Sequence, residues 1–140
     1  MKTIRELQDE LVEEFALLDD WMDKYQLIIE MGGELAPYPE KAKTPEHLIE
    51  GCQSRVWITG EAQEDGTLRI SADSDAIIVK GIIAMLVRVL DGQKASEIAD
   101  ADLFFIDKAG LREHLSPTRS NGLVAMVRHI KLLAASAASK

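Results

Sequence analysis

Residues 54–90 read SRVWITGEAQEDGTLRISADSDAIIVKGIIAMLVRVL, and this stretch decides the fold. Ser54-Arg55-Val56-Trp57-Ile58-Thr59 alternates as a half-buried strand does, Glu64-Asp65-Gly66 has the composition of a turn, and Thr67 to Ser71 brings the chain back. A β-hairpin is therefore predicted. Ala76 to Leu90 is apolar nearly all round, which predicts a helix buried at the centre of the domain and ended by Asp91-Gly92. Asp73-Ser74-Asp75, just ahead of it, offers N-cap chemistry. Asp73 and Asp75 could also serve as paired carboxylates, but capping is the commoner use of Asp before a helix.

Upstream of this stretch, Ile4, Leu7, Leu11, Phe15 and Leu18 recur at three- and four-residue steps among acidic residues, predicting an amphipathic helix that ends near Asp19-Asp20. A second helix is expected from about Trp21, with Trp21, Tyr25, Ile28 and Ile29 on one side and Gly32-Gly33 as its stop. Pro37, Pro39 and Pro45 make Glu34 to Glu46 a surface loop without regular structure, and this loop leads to Cys52. Downstream, a short helix is expected at Ala95 to Ala99, then an apolar cluster at Leu103 to Ile106 and a break at Gly110 before Leu111 to Leu115. Ser116 to Gly122 reads as a loop and helix entry. A last amphipathic helix runs through Leu123, Met126, Val127, Ile130 and Leu133, with Ala134 to Lys140 expected to fray. Helices, then a hairpin, then helices predict an α+β fold in which helices cover one face of a small antiparallel sheet. With no repeat and no shift in composition, residues 1–140 read as a single domain.

At 140 residues and 46% hydrophobic, the chain can bury a core without disulfides or metals. The start, Met1-Lys2-Thr3-Ile4-Arg5-Glu6, does not read as a secretory signal, so a cytoplasmic location is expected. The apolar run from Ala76 to Leu90 is too short for a bilayer and carries Lys80 and Arg88, which argues against a membrane span. A formal charge of −8 argues against nucleic acid, whose phosphates demand a basic face, and favours a basic or mixed protein partner.

Cys52 is the only cysteine. One thiol makes no internal disulfide, no CxxC redox pair and no multi-cysteine zinc site, so any chemistry at Cys52 involves another molecule. It follows Gly51 between the proline-bearing loop and a strand, a position that permits transfer chemistry, although an inert buried thiol fits composition equally well. Only a thiolate is nucleophilic, and a free thiol has a pKa near ~8.5, so a working cysteine needs positive charge or donors nearby. Turn N–H groups and Arg119 are the available sources. Arg119, with Ser116 and Ser120, stands where a helix N-terminus and a guanidinium together could hold an anion, a surface salt bridge being the plainer use. His47, His114 and His129 stand in no catalytic motif, and with Cys52 they match no zinc spacing. His47 and His129 read as surface histidines. Trp21 and Trp57 read as core, and no phosphate-binding glycine loop is present.

The segment Leu48-Ile49-Glu50-Gly51-Cys52-Gln53-Ser54-Arg55-Val56-Trp57 closely resembles the signature around the active cysteine of the SufE/CsdE family of sulfur acceptors. Three further segments follow the family pattern in order. They are Asp20-Trp21 with Lys24-Tyr25 and Ile28-Ile29-Glu30, then Asp73-Ser74-Asp75-Ala76 with Ile78-Val79-Lys80-Gly81, then Leu115-Ser116-Pro117 with Arg119-Ser120 and Gly122-Leu123. Nearly the whole chain is covered. The motifs do not separate the SufE branch from the CsdE branch.

The resemblance implies an α+β fold of the kind shared with NifU-type scaffold proteins. It also implies that Cys52 accepts sulfur from a pyridoxal-phosphate cysteine desulfurase of the SufS or CsdA type and passes it to a SufBCD-type scaffold. Gly51, Gln53, Asp75 and Arg119 would support the thiolate or the partner interface, with no metal and no cofactor of the chain's own. In the family, the cysteine loop can shelter its side chain in an apolar hollow and swing out when the desulfurase docks, which suits a persulfide prone to reduction and oxidation. Three rivals are open: a cluster-holding scaffold, which one thiol serves poorly, a one-cysteine redox protein or peroxidase, and an adaptor whose cysteine is incidental. Whether the chain pairs with itself is not legible.

Overall fold

Helix α3 (Ile77–Leu90) is the axis around which the other elements gather. Val79, Gly81 to Leu86, Val89 and Leu90 are all buried, so three sides of this helix meet protein and its apolar composition is explained. In this computed structural model the described residues are 2–49 and 54–139.

Ahead of α3 stand helices α1 (Ile4–Ala16) and α2 (Trp21–Gly33), and then strands β1 (Val56–Ala62) and β2 (Leu68–Ser74). After it come α4 (Ala95–Asp100), two single turns α5 (Phe105–Lys108) and α6 (Leu111–His114), and the long helix α7 (Pro117–Ala138). Both early helices begin as the sequence chemistry requires. Thr3 and Glu6 form a reciprocal capping box on α1, and the Asp20 carboxylate accepts the Met22 N–H on α2.

The strands pair antiparallel from Val56 opposite Ser74 to Ala62 opposite Leu68, with Gly66 at a φ of 88° in the turn. Their inner face presents Val56, Ile58, Leu68, Ile70 and Ala72 to the helices, all nearly inaccessible. This α+β arrangement is the expected one. The hairpin is longer than the alternation indicated, because the pattern of burial continues along β2 through Ala72 to Ser74. The opposite face is not bare. The proline-bearing segment lies over it, with Tyr38 buried, Lys43 Nζ 5.2 Å from the centre of the Trp57 ring, and Leu48 bridging to Trp57. Within that segment, Glu40–Ala42 and Pro45–His47 each form a turn of 3-10 helix where no regular structure was expected, Pro45 standing at the first position its ring favours.

Three other expectations are corrected. Neither Asp73 nor Asp75 caps α3: Asp73 is a residue of β2, and the helix begins after Ala76 with no side-chain cap. Trp57 is core, but Trp21 is half-exposed and stacks on His114 with ring centres 4.0 Å apart. The last helix continues to Ala138, and Ala134 is buried within it.

Helix α2 crosses α3 at a contact of main chain on main chain. A Cβ at Gly81 would lie 2.1 Å from the Ile28 carbonyl oxygen, and one at Gly32 would lie 2.9 Å from the Gly81 nitrogen. Far from this crossing, the buried Gln8 amide donates to the Asp102 carbonyl and accepts the Phe105 N–H, tying α1 to the chain before α5. Gly81→Ala is expected to destabilise the fold by about 3 kcal/mol, because the clash is with backbone and outweighs the ~1 kcal/mol gain in helix propensity. Gly33→Ala, where no atom lies within 4 Å, is expected to be neutral or slightly stabilising. Urea denaturation of the two variants beside wild type checks both.

Candidate functional site

The first turn of α3 and the first turns of α7 converge on a groove of about 490 Å³. Ile77, Val79, Gly122 and Met126 supply its apolar lining, and Ser54, Ser116 and Arg119 its polar lining. Ser54 is the first described residue after the segment that bears Cys52. Gly51, Cys52 and Gln53, three of the five site residues expected from the sequence, lie outside the described residues. The other two, Arg119 and Asp75, are exposed and differently employed.

Arg119 lines the groove, and no carboxylate pairs with its guanidinium among the described residues. Its backbone N–H is taken by Ser116 Oγ, the N-cap of α7, at 3.3 Å, and Pro117 follows at the first helical position. Ser120 turns away and donates to the Arg112 carbonyl. Two helix N-termini and one guanidinium thus face a single groove in a chain of charge −8, making the groove locally electropositive. Such a place favours an anionic form of a neighbouring group over its neutral form.

Asp75 is not part of the lining. Its carboxylate accepts the Arg55 N–H at 3.1 Å, and its own N–H donates to the Arg55 carbonyl at 3.3 Å. Asp75 is therefore bound to the chain just downstream of the cysteine segment. On the upstream side, the Ile49 N–H donates to the Val56 carbonyl at 2.9 Å, so the same segment is pinned at both flanks. Ile77, 64% exposed at the rim, is a lining residue the sequence reading missed, because a position in a uniformly apolar helix gave no sign of facing outward.

The histidines do not gather. His114 is engaged with Trp21, and its Nδ1 lies 3.0 Å from the Gly110 carbonyl. His47 is held by the Ala42 carbonyl and Thr44 hydroxyl. His129 is half-buried on α7 rather than on the surface, close to the Ile58 main chain. Burial lowers its pKa and so does the nearby His47, against the opposing effect of the Ile58 contact.

Asp73 organises the outer face of the sheet. Its carboxylate lies 3.1 Å from Lys43 Nζ and 3.3 Å from Lys80 Nζ and accepts the Ser74 N–H, joining the proline-bearing segment, β2 and α3. Burial by itself would raise its pKa. The Ser74 N–H and the two ammonium groups together prevail and hold it below the ordinary value.

Residues 9–134 match the family described as SufE, Fe-S metabolism associated domain. An uncharacterized SufE-like protein of Rhizobium meliloti (strain 1021) is 44% identical over 128 residues, covering 88% of this chain and 91% of the relative. One of Rhizobium etli is 42% identical over 127 residues, covering 88% of this chain and 86% of that protein. A hypothetical protein from Thermus thermophilus, solved in solution, superposes with a TM-score of 0.79 over 96% of this chain and 97% of its own, at 20% identity, and shares the fold. Among the described residues, no helix is long and apolar enough to cross a membrane.

Because the Asp73 pKa is lower in the folded chain than its ordinary 3.8, its ion pairs contribute stability above that value and lose it as the pH falls through the folded pKa. Asp73→Asn is expected to cost about 1 kcal/mol at neutral pH, and the gap to wild type is expected to narrow as the pH falls below 3.8. Urea melts of both proteins across this range measure it, and a gap independent of pH would count against the assignment.

Proposed function

This chain belongs to the SufE family, and from that premise we propose that it works in the cytoplasm as a sulfur acceptor whose Cys52 takes sulfane sulfur from a cysteine desulfurase. Membership ties it to iron–sulfur metabolism and to sulfur transfer. The finer reading is supported by the chain's sole cysteine lying within the matched span, and by a groove lined by Ser54 where two helix N-termini and a guanidinium with no carboxylate partner among the described residues favour an anion.

The transfer step is a thiol–persulfide exchange. The Cys52 thiolate attacks the outer sulfur of a persulfide on the desulfurase, the donor's sulfur–sulfur bond breaks, and the donor cysteine leaves as a thiolate. Cys52 ends as the persulfide. Sulfur moves at the sulfane level, so no external oxidant or reductant enters, and the proton lost from Cys52 is available to the departing thiolate. Arg119 and the helix N-termini stabilise the thiolate before attack and the persulfide anion after it. Removing the product from the desulfurase stimulates turnover there. The partner is a pyridoxal-phosphate desulfurase of the SufS or CsdA type, and the recipient is a cluster scaffold of the SufBCD type. Asp75, bound to Arg55, holds the downstream flank of the cysteine segment while that partner docks.

After incubation with desulfurase and cysteine, intact-mass spectrometry is expected to show one added sulfur on wild type and none on Cys52→Ser, which should melt as wild type does. Wild type without the added sulfur would sink the reading. Consumption of peroxide at Cys52 in its place would favour the redox rival. Arg119→Ala is expected to slow single-turnover transfer about tenfold, the loss of one charge-assisted contact worth ~1.4 kcal/mol. An unchanged rate would remove Arg119 from the mechanism.

A further inference from the structure

The first turns of α1 and the stretch from Gly92 through α4 form the walls of a cleft of about 980 Å³, which shares no lining residue with the groove at Arg119. Helix α1 packs on α3 and α5 while α4 packs on α7, so the two walls lean on different neighbours and stand apart. Of the three buried polar side chains among the described residues, two lie in this cleft, Gln8 at 1% exposure and Gln93 at 5%. They differ in one respect. Both polar atoms of the Gln8 amide are bonded, Nε2 to the Asp102 carbonyl and Oε1 to the Phe105 N–H. Gln93 donates from Nε2 to the Lys2 carbonyl at 2.9 Å, and no described residue donates to its Oε1. A carbonyl only accepts, which fixes the amide with its nitrogen toward Lys2 and its oxygen away from it. Among the described residues no buried side-chain oxygen or nitrogen lacks a partner, so this Oε1 is reached by solvent, and the cleft is the opening that Gln93 lines. The backbone here is held as well, the Gln93 N–H donating to the Leu90 carbonyl at 3.2 Å and the Gln93 carbonyl accepting the Leu68 N–H at 3.0 Å. A rigidly mounted acceptor without a donor thus stands in the cleft.

The charges around this acceptor are balanced, four basic side chains and four acidic ones, in a chain whose net charge is −8. Lys2 pairs with Glu10, and Lys108 Nζ lies 4.8 Å from the centre of the Phe104 ring. Arg5 and Lys94 have no carboxylate partner among the described residues, and Asp9, Glu97, Asp100 and Asp102 have no cationic partner within the cleft. Opposite charges that share a cleft without closing on one another leave room for a visitor's charges between them. We propose that the cleft is a docking site for an extended polypeptide segment of a partner protein in which acidic and basic side chains alternate, with Gln93 Oε1 accepting one of its main-chain N–H groups. The volume reaches the top of the roughly 300–1,000 Å³ range of small-ligand pockets, but such pockets are lined mostly by apolar and aromatic groups. Here only Ile4, Ala101 and Phe104 supply apolar side chains. A uniformly charged chain would meet like charge as well as opposite charge, whereas an alternating segment can place each of its charges against a complement. Exposed pairs contribute little each, so the shielded bond to Gln93 sets the register and the rim charges set the choice of partner. The proposal does not depend on the sulfur-acceptor reading.

The test uses the full chain labelled with nitrogen-15 and three acetylated, amidated hexapeptides, one alternating glutamate with lysine, one of glutamate alone and one of lysine alone. In NMR titrations the alternating peptide is expected to shift the Gln93 side-chain amide and the backbone amides of Arg5 and Lys94 saturably, and the uniform peptides to bind about fivefold more weakly or worse. Gln93→Met keeps the length of the side chain and removes the acceptor, and is expected to weaken binding of the alternating peptide about tenfold. Arg5→Ser, at an exposed position without an ion pair, is expected to weaken it about threefold and to leave the fold as stable as before. No saturable shift in the cleft, uniform peptides that bind as well as the alternating one, or a folded Gln93→Met that binds as wild type does would each overturn the proposal. Free glutamate or lysine giving the same shifts at the same concentration would overturn it in favour of a small-molecule pocket. Should Gln93→Met not fold, Arg5→Ser combined with Lys94→Ser takes its place, since both positions are exposed, and an unchanged affinity in that protein overturns the proposal equally.

Discussion

The approach of the Gly81 backbone to the Ile28 carbonyl is the constraint on which the rest of the structure depends. With no side chain at Gly81 or Gly32, α2 and α3 come together main chain to main chain, closer than any other residue type permits. That closeness lets α3 be enclosed by its neighbours while the chain remains small. Enclosure in turn fixes the direction of α3, and therefore where its N-terminal turn emerges. The groove lies at that turn, so a backbone contact about one turn into the helix governs the electrostatics of the site at its start. Interiors packed at crystal-like density transmit such constraints because they offer no slack to absorb them.

What the sequence made legible follows physical range. The hairpin, the buried helix and the early caps are set by neighbours a few residues apart, and strand alternation, apolar periodicity and capping pairs announce them. Asp73-Ser74-Asp75 shows where such reasoning ends. Its composition is that of a cap, yet β2 carries its pairing to Ser74, and each of the three side chains is claimed by a distant partner: Lys43 and Lys80, the Arg55 carbonyl, and the Arg55 N–H. Trp21 likewise looked like core because its stacking on His114 joins residues far apart in the chain. The segment Glu34 to Glu46 was correctly placed outside the main elements, but its role in covering the sheet depends on Tyr38 and Lys43 meeting β1 and β2, which no local pattern reveals.

The candidate site divides in the same way. Cys52 and Arg119 stood out from residue chemistry and from the resemblance, whereas the groove that Arg119 shares with Ser54 and Ile77 is a product of tertiary folding. Charge behaves similarly across scales. The chain as a whole is acidic, and the groove is positive because two helix ends and one guanidinium outweigh the average locally. An anion in the groove answers to that local field, and a body approaching from a distance to the global one.

The short pairings that flank the hairpin have a consequence for recognition. A two-stranded sheet has two open edges, each a template on which a foreign strand could add. Here Leu48 and Ile49 occupy the start of β1, and Gly92 to Lys94 take the start of β2. Main-chain augmentation is thereby blocked at the start of each strand, and a visitor there must read side chains and shape.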